Sequence, residues 1–389
     1  MAAKLKSKAK PVPAARLFDG VYAGSRVFVT GHTGFKGAWL CEWLLDLGAE
    51  VTGFSLPPPT HPALFEQIGL RNRLKHIEGD IRDAAGLTRA LAGARPDFVF
   101  HLAAQSLVRE SYRTPVETYQ TNVMGTINLL EAARRLQKAC AVVCVTTDKC
   151  YENREWVYGY REEDSLGGYD PYSSSKAAAE IAIAAWRRSF FKAHPVRVAS
   201  ARAGNVIGGG DWAADRIVPD CIRALQEKQG IPVRNKNATR PWQHVLEPLS
   251  GYLWLAALLS KPAMGHVTPE KLCSAFNFGP GHDANRSVAE LVDEVLKHWP
   301  GHWEDRGDPK AMHEANLLQL AADKAAALLG WAPVWSFGEA VGQTVSWYRA
   351  AGGRASVDPL RQMTVGHIHQ YSRDAGRRMI PWAAIRSIC

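Results

Sequence analysis

Apolar and polar positions follow two rhythms along this chain. Short apolar runs close on small or polar residues at 26–30 (RVFVT), 51–56 (VTGFSL), 76–83 (HIEGDIRD), 96–104 (PDFVFHLAA), 141–150 (AVVCVTTDKC) and 197–204 (RVASARAG). Between them lie stretches with helical spacing. Leu40, Trp43, Leu44 and Leu47 mark one, 114–135 is amphipathic with an inward stripe from Thr121 and Asn122, and 169–191 is a third. Apolar runs of strand length bounded by turn formers read as buried strands, and i, i+3, i+4 spacing reads as helix. Their alternation predicts an α/β fold on a doubly wound parallel sheet, with a smaller C-terminal α/β substrate-binding region.

The first strand runs into GHTGFKG, where Gly31, Gly34 and Gly37 stand three apart. Helical spacing follows, and Gly48 falls where that helix should stop. In such a βαβ unit one glycine permits the tight turn, one lets backbone approach a pyrophosphate, and one lets the helix pack on the sheet. Free N–H groups at the helix start then face the phosphates. The unit reads as a Rossmann-type dinucleotide site, with candidate contacts at Gly31, His32, Thr33, Gly34, Phe35, Lys36 and Gly37. His32 and Lys36 add positive charge near the pyrophosphate; Lys36 either tightens the phosphates or faces solvent. The second strand ends in Phe54, Ser55 and Leu56, where an acid would hold an adenosine ribose. Ser55 can bond a ribose hydroxyl without repelling a 2′-phosphate, so it does not choose between NAD and NADP. Asp80, with Ile81 beside it, is a candidate adenine partner. Leu102, Ala103, Ala104 and Gln105 close the next strand, whose small residues let a cofactor lie close. Thr121 is a further candidate, and Asn122 either touches cofactor or brackets neighbouring backbone.

Composition narrows the class. At 389 residues, 46% hydrophobic and 22% charged, the chain can form one large α/β domain or two smaller ones. No apolar run is long enough to span a bilayer. The opening Lys–Ala alternation lacks the apolar segment of a secretory signal. Seven dispersed cysteines without a CxxC pair argue against a disulfide framework or a metal site. A cytoplasmic protein with no metal and no membrane insertion is expected. The net charge of +9 sits at the ends, +5 over residues 1–18 and +4 over 354–389, rather than on a folded face. That argues against a nucleic-acid-binding core and makes 1–18 a disordered basic arm.

The fifth strand ends in Thr146, Thr147, Asp148 and Lys149. A local ion pair in a solvated loop is one reading of the adjacent acid and base; a proton-transfer station beside a substrate is the other. Further on, Tyr172 and Lys176 lie four apart at the start of a helical run, on one face. A free phenol has a pKa of about 10. A nearby ammonium favours the phenolate, which can take a proton from an alcohol as hydride leaves the same carbon. Placed after the dinucleotide unit and the acid-tipped strand, the pair reads as catalytic.

The segments TGHTGFKG, HLAAQSLVRESYRTPVETYQTNV, TTDKCY, YDPYSSSKAAAE and RPWQHVLEPLSGYL resemble the extended short-chain dehydrogenase/reductase family, and within it the NAD-dependent sugar-nucleotide 4,6-dehydratases. The likeness covers roughly residues 16–350. It implies a lyase that recycles bound NAD in three stages. Tyr172 takes the proton of the hexose C4 hydroxyl as hydride goes to the nicotinamide, with Thr147 on the same oxygen and Lys176 on the ribose. Lys149 removes the C5 proton while Asp148 protonates the departing C6 hydroxyl. Hydride returns to C6, giving a 4-keto-6-deoxy sugar nucleotide of the kind used in lipopolysaccharide O-antigen and other deoxysugar biosynthesis. The resemblance also implies CDP-glucose as substrate; the residues themselves do not name the base. The related dTDP-glucose enzymes carry Asp–Glu here. In this chain Lys149 must be neutral to accept a proton, and Asp148 must hold one to give.

For the substrate, the resemblance places Asn205 at the phosphates and adds Ser106 and Val218, while the planar fork of Arg240 suits a diphosphate. Trp242 reads as packing and His244 as a core histidine; His313 or Glu314 is a candidate nucleotide-side contact. The expected layout is the arm (1–18), an NAD-binding domain (19–205 with returning segments), a sugar-nucleotide region (206–350) and a tail without assigned function (351–389). Self-association as a homodimer or homotetramer is expected through helices near 115–135 and 174–190. An epimerase or reductase on the same scaffold is the alternative, against which Asp148 and Lys149 argue. A non-catalytic cofactor sensor has no need of both Tyr172 and Lys176.

Overall fold

A computed structural model describes residues 14–263, 267–307, 317–352 and 356–384. Seven strands form one sheet: β1 (Arg26–Thr30), β2 (Glu50–Ser55), β3 (Lys75–Glu78), β4 (Phe98–His101), β5 (Cys140–Val145), β6 (Val196–Ala203) and β7 (Ala275–Phe278). Their spatial order is 7-6-5-4-1-2-3 and every neighbouring pair is parallel. The order reverses between β1 and β4, so a crevice opens there beyond the carboxyl ends of the strands.

Helices cover both faces. They are α1 (Phe35–Asp46), α2 (Ala84–Ala94), α3 (Pro115–Tyr119 and Gly125–Arg134, joined by a π-turn over Gln120–Met124), α4 (Pro171–Phe190), α5 (Ile217–Gln226), α6 (Leu246–Leu259), α7 (Val288–His298), α8 (Phe337–Ala351) and α9 (Val357–Arg377). Successive residues of β1 point to opposite faces. Val27 and Val29 join the core with α1 and α6, while Phe28 joins the core with α2, α3 and α4. A strand buried on both faces must be apolar throughout, which is why β1, β4 and β5 read as unbroken apolar runs.

Local chemistry sets the start of α4. Asp170 accepts from the Ser173 N–H at 2.9 Å and from Ser173 Oγ at 2.6 Å, and Pro171 occupies the first turn. Both features favour a sharp helix entry, which places Tyr172 and Lys176 in the first two turns.

The two chain ends depart from expectation. Leu17 and Phe18, expected in the arm, are buried, and Phe18 stacks on Trp382 at 4.9 Å; residues 1–13 of the arm lie outside the described residues. The segment expected as a tail contributes α9, which packs on α1 through an Arg361–Glu42 ion pair at 3.5 Å and His369 against Asp46 at 3.0 Å. Tyr371 donates to Glu247 of α6 at 2.6 Å and packs beside Trp382. The C-terminal arginines Arg361 and Arg377 therefore lie on a folded helix, contrary to the charge reading. The reason is the aromatic content of this segment, which buries against Trp43 and Phe18. Among the described residues no helix is long and apolar enough to cross a membrane.

Candidate active site

The loops at the carboxyl rim enclose a cleft of about 1490 Å³. A site for one small ligand is about 300–1,000 Å³, so this cleft has room for two. Its walls bring together Gly31, Thr33, Gly34, Phe35, Lys36, Gly37, Ser55, Asp80, Ile81, Leu102, Ala103, Ala104, Gln105, Ser106 and Thr121 from one side of the sheet order. Thr147, Asp148, Lys149, Tyr172, Lys176, Asn205, Val218 and Arg240 complete it. His313 and Glu314 lie outside the described residues.

The glycine loop divides its work by position. Gly31 has φ +74°, and a Cβ on it would lie 2.6 Å from the Ala103 nitrogen; one on Gly37 would lie 2.2 Å from the Gly31 oxygen. The first glycine thus allows the turn and the third the close seat of α1. Gly34 meets nothing nearer than 3.5 Å, and no side chain caps α1. Uncapped N–H groups at a helix start, open to the cleft, fit a pyrophosphate.

His32 does not reach the cleft wall. Its buried ring has Nε2 2.7 Å from His76 Nδ1 and packs edge-on against Phe65 at 5.3 Å. Burial, then the His76 charge, pushes it down to about 3. It is neutral near pH 7, and the expected positive charge at this position is corrected. Lys36 does line the cleft, which decides its alternative; burial, then Arg216 and Lys176, push it down to about 8.

Other expected contacts carry prior engagements. Thr33 Oγ1 lies 2.8 Å from Ser55 Oγ and donates to the Leu56 carbonyl at 2.9 Å. Its single proton is thereby used, so Ser55 donates to Thr33 and keeps acceptor capacity toward the cleft. Asp80 accepts from the Arg82 N–H and from Arg82 Nε, both at 2.8 Å. Burial pushes its carboxyl up, but these Arg82 contacts outweigh burial and hold it below the usual range. Asn122 accepts from Gln105 N at 2.9 Å and donates to Gln105 O at 3.0 Å and Ser175 Oγ at 2.9 Å. Buried and off the cleft wall, it is the backbone bracket. His244 is a core histidine between Trp39 and Trp335, and Trp242 packs with Nε1 on the Arg286 carbonyl.

At the tip of β5, Thr147 Oγ1 donates to Asp148 Oδ1 at 3.0 Å and accepts from the Lys149 N–H at 3.3 Å. The Tyr172 phenol lies near the same hydroxyl, which favours its ionised form. Asp148 is 2% exposed, and among the described residues nothing bonds its Oδ2. No ion pair joins it to Lys149, which decides against the local-pair reading of the adjacent acid and base. A buried acceptor without a donor costs about 1–3 kcal/mol, a cost removed where the carboxyl carries a proton or meets a substrate donor.

Tyr172 behaves differently from expectation. Burial pushes its phenol up to about 12; the Thr147 hydrogen bond pulls down, Asp148 pushes up and Arg216 pulls down. Burial outweighs the cations of the protein itself. Lys176 Nζ donates to the Val145 carbonyl at 3.4 Å, and burial pushes it down to about 8 against the opposing charge of Glu180.

Sequence reasoning missed Arg216. It stands at the entry to α5, paired with Asp211 at 2.7 Å and reaching Ser106 Oγ at 3.4 Å. The one available signal was an arginine where Ser, Thr, Asp or Asn is favoured. Arg240 is buried and donates to the Thr239 carbonyl at 2.8 Å.

A parallel sheet of this order, a glycine first turn and a Tyr–Lys pair facing the cleft define an extended short-chain dehydrogenase/reductase. The sequence model described as GDP-mannose 4,6 dehydratase matches residues 28–344, and the chain belongs to that family. A CDP-glucose 4,6-dehydratase of Salmonella typhimurium is 48% identical over 336 residues, covering 85% of this chain and 92% of that protein. A dTDP-glucose 4,6-dehydratase of Shigella flexneri is 26% identical, covering 84% and 93%. Among solved structures, DesIV, a dTDP-glucose 4,6-dehydratase from Streptomyces venezuelae with NAD bound, is 27% identical with a TM-score of 0.70, covering 86% and 99%.

Proposed function

We propose that this chain is an NAD-dependent hydro-lyase converting CDP-D-glucose to CDP-4-keto-6-deoxy-D-glucose and water. The observation that carries the reading is one cleft in which Asp148 and Lys149, not paired to each other, stand beside Thr147 and Tyr172. A 4-epimerase or simple reductase needs the tyrosine and lysine but has no work for that acid and base. The 48% identical relative named CDP-glucose 4,6-dehydratase supports both the reaction and the base.

The residues present fit NAD: the uncapped start of α1 takes the pyrophosphate, Ser55 the adenosine ribose, and the Leu102–Ala104 wall lets a flat ring system lie close. NAD supplies the two-electron acceptor that oxidises C4 and later reduces C6. Tyr172 takes the C4 hydroxyl proton as a phenolate; burial disfavours that form, so it needs positive charge beyond the protein's own cations, which bound NAD would add to that of Lys176, while Thr147 steadies the oxygen. With C4 a ketone, the C5 proton is acidified, and Lys149 removes it. Asp148 gives its proton to the C6 hydroxyl, and water leaves. Lys149 returns a proton to C5. Arg240 and Lys36 bring positive charge to the phosphates, and Asn205 a hydrogen-bonding amide.

The expected partners are the sugar nucleotide and a second copy of the chain. Val116, Tyr119 and Met124 of α3 and Ile181 and Phe190 of α4 are exposed apolar side chains on adjacent helices, a surface suited to a two-fold contact. Cytoplasmic location agrees with buried free thiols at Cys41, Cys140, Cys144, Cys150 and Cys221. The deciding experiment incubates the protein with NAD and CDP-, dTDP- or UDP-glucose and weighs the products. Loss of one water from CDP-glucose is expected; no loss from any of them refutes the reading.

A further inference from the structure

Three acid–base side chains occupy successive turns of one face of α4: Tyr172, Lys176 and Glu180, each four residues from the last and each buried. The first two belong to the proposed chemistry. The third does not line the cleft, yet both its carboxylate oxygens are engaged. Glu180 Oε1 accepts from Thr146 Oγ1 at 2.5 Å; Oε2 accepts from Ser200 Oγ and from Arg202 Nη2, both at 2.8 Å. Thr146 is the residue before Thr147, so this carboxylate fastens the acid-tipped end of β5 to the helix that carries the base. Arg202 is itself buried, and its Nη1 donates to Tyr151 Oη at 2.7 Å, just past the same strand tip.

We propose that Glu180 is a positioning residue for the elimination site: its buried charge keeps Lys176 an ammonium, and its hydrogen bonds hold the β5 tip against α4. The inference rests on the catalytic reading of Tyr172 and Lys176. Lys176 is surrounded by groups of both kinds. Tyr172 and Glu180 lie on its own helix, Cys144 on β5, Cys150 just beyond it, His101 on β4 and Lys36 on α1. The cysteines and tyrosine are neutral near pH 7 because burial raises them, and His101 is neutral because burial lowers it. Lys36 adds positive charge. Glu180, held ionised by Arg202 against its own burial, is thus the one negative charge acting on Lys176 among these groups.

The sign follows. A buried lysine loses its proton as pH rises, and removal of a nearby carboxylate charge brings that loss to lower pH. The test measures the rate of cofactor reduction at 340 nm in single turnovers of the NAD-loaded protein with CDP-glucose, from pH 6 to 10. It uses the parent, Glu180→Gln, and the double variant Glu180→Gln/Arg202→Met, which removes the partner charge that the single change strands. We expect the alkaline midpoint of the folded variants to fall by about one pH unit or more, equivalent to a tenfold loss of the ammonium form, with activity recovered at lower pH. A folded double variant with the parent midpoint, or a loss of rate equal at every pH, overturns the proposal. So does a failure of both variants to fold, since the pair would then serve the fold alone. Lys176→Met separates the two levels. If the parent does not reduce NAD, or Lys176→Met keeps the same alkaline limb, the catalytic reading has failed rather than the role of Glu180.

Discussion

Asp148 Oδ2 lies 2.8 Å from the point that a Cβ on Gly204 would occupy. The β5 tip and the turn after β6 approach closely there, and the missing side chain is what lets the carboxylate sit buried beside Thr147. Alanine at 204 leaves no room without moving Asp148 or Pro241, which stands 3.2 Å from the same point. We expect Gly204→Ala to fold, with a cost of about 1–3 kcal/mol. Cofactor reduction by CDP-glucose should persist while water loss slows about tenfold or more. Mass analysis of products beside absorbance at 340 nm checks both.

Lys149 tests the elimination directly. Lys149→Met keeps the length of the side chain and removes its basicity. The NAD-loaded variant should still reduce its cofactor on adding CDP-glucose, yet form product about 10²–10⁴-fold more slowly, the usual contribution of a positioned base. Full turnover in Lys149→Met assigns the C5 proton to another group.

The buried histidines set an acid limit. His32 and His101 are both pushed down to about 3, chiefly by burial, from an ordinary value near 6.5. Both stay neutral in the fold while the unfolded chain binds protons below about 6.5, so stability is full above that pH and falls toward pH 3. Each group costs about 1.4 kcal/mol per pH unit in that window. Melting temperatures between pH 7.5 and 4.5 should decline steadily; a flat profile to pH 4.5 refutes the assignment.

Trp382 carries the C-terminal closure. It is 1% exposed between Phe18, Trp43 and Tyr371. Trp382→Ala should destabilise by about 3–5 kcal/mol, read as a lower melting temperature. Because α9 braces α1, added NAD should recover part of that loss by binding the folded state.

The exposed apolar face predicts association. Val116 is 68% exposed and Ile181 58%. Placing a charge at either, as in Val116→Asp, should lower the mass measured by light scattering to that of the single chain if this face joins two copies.

The sheet, its glycine turn and the Tyr172–Lys176 pair were legible because each rests on local rules: strand length, helical period and the need for glycine at a positive φ. The approach of Gly204 to Asp148, the turn of His32 into the core and the engagement of Ser55 with Thr33 were not. Each joins positions far apart in the chain, and no periodicity records which residue meets which.

Sequence alone determined which residues could do chemistry here and on which elements they stand, since apolar runs and i, i+4 spacing follow from backbone geometry. It could not decide protonation or pairing. Those came with the tertiary structure, because burial and the fixed neighbours it imposes set the charge of His32, Lys36, Tyr172 and Lys176 and leave Asp148 and Lys149 without an ion pair to each other. The aromatic closure of the C-terminal segment on Phe18 and Trp43 was likewise settled by packing, which turns a stretch of mixed polarity into part of the core.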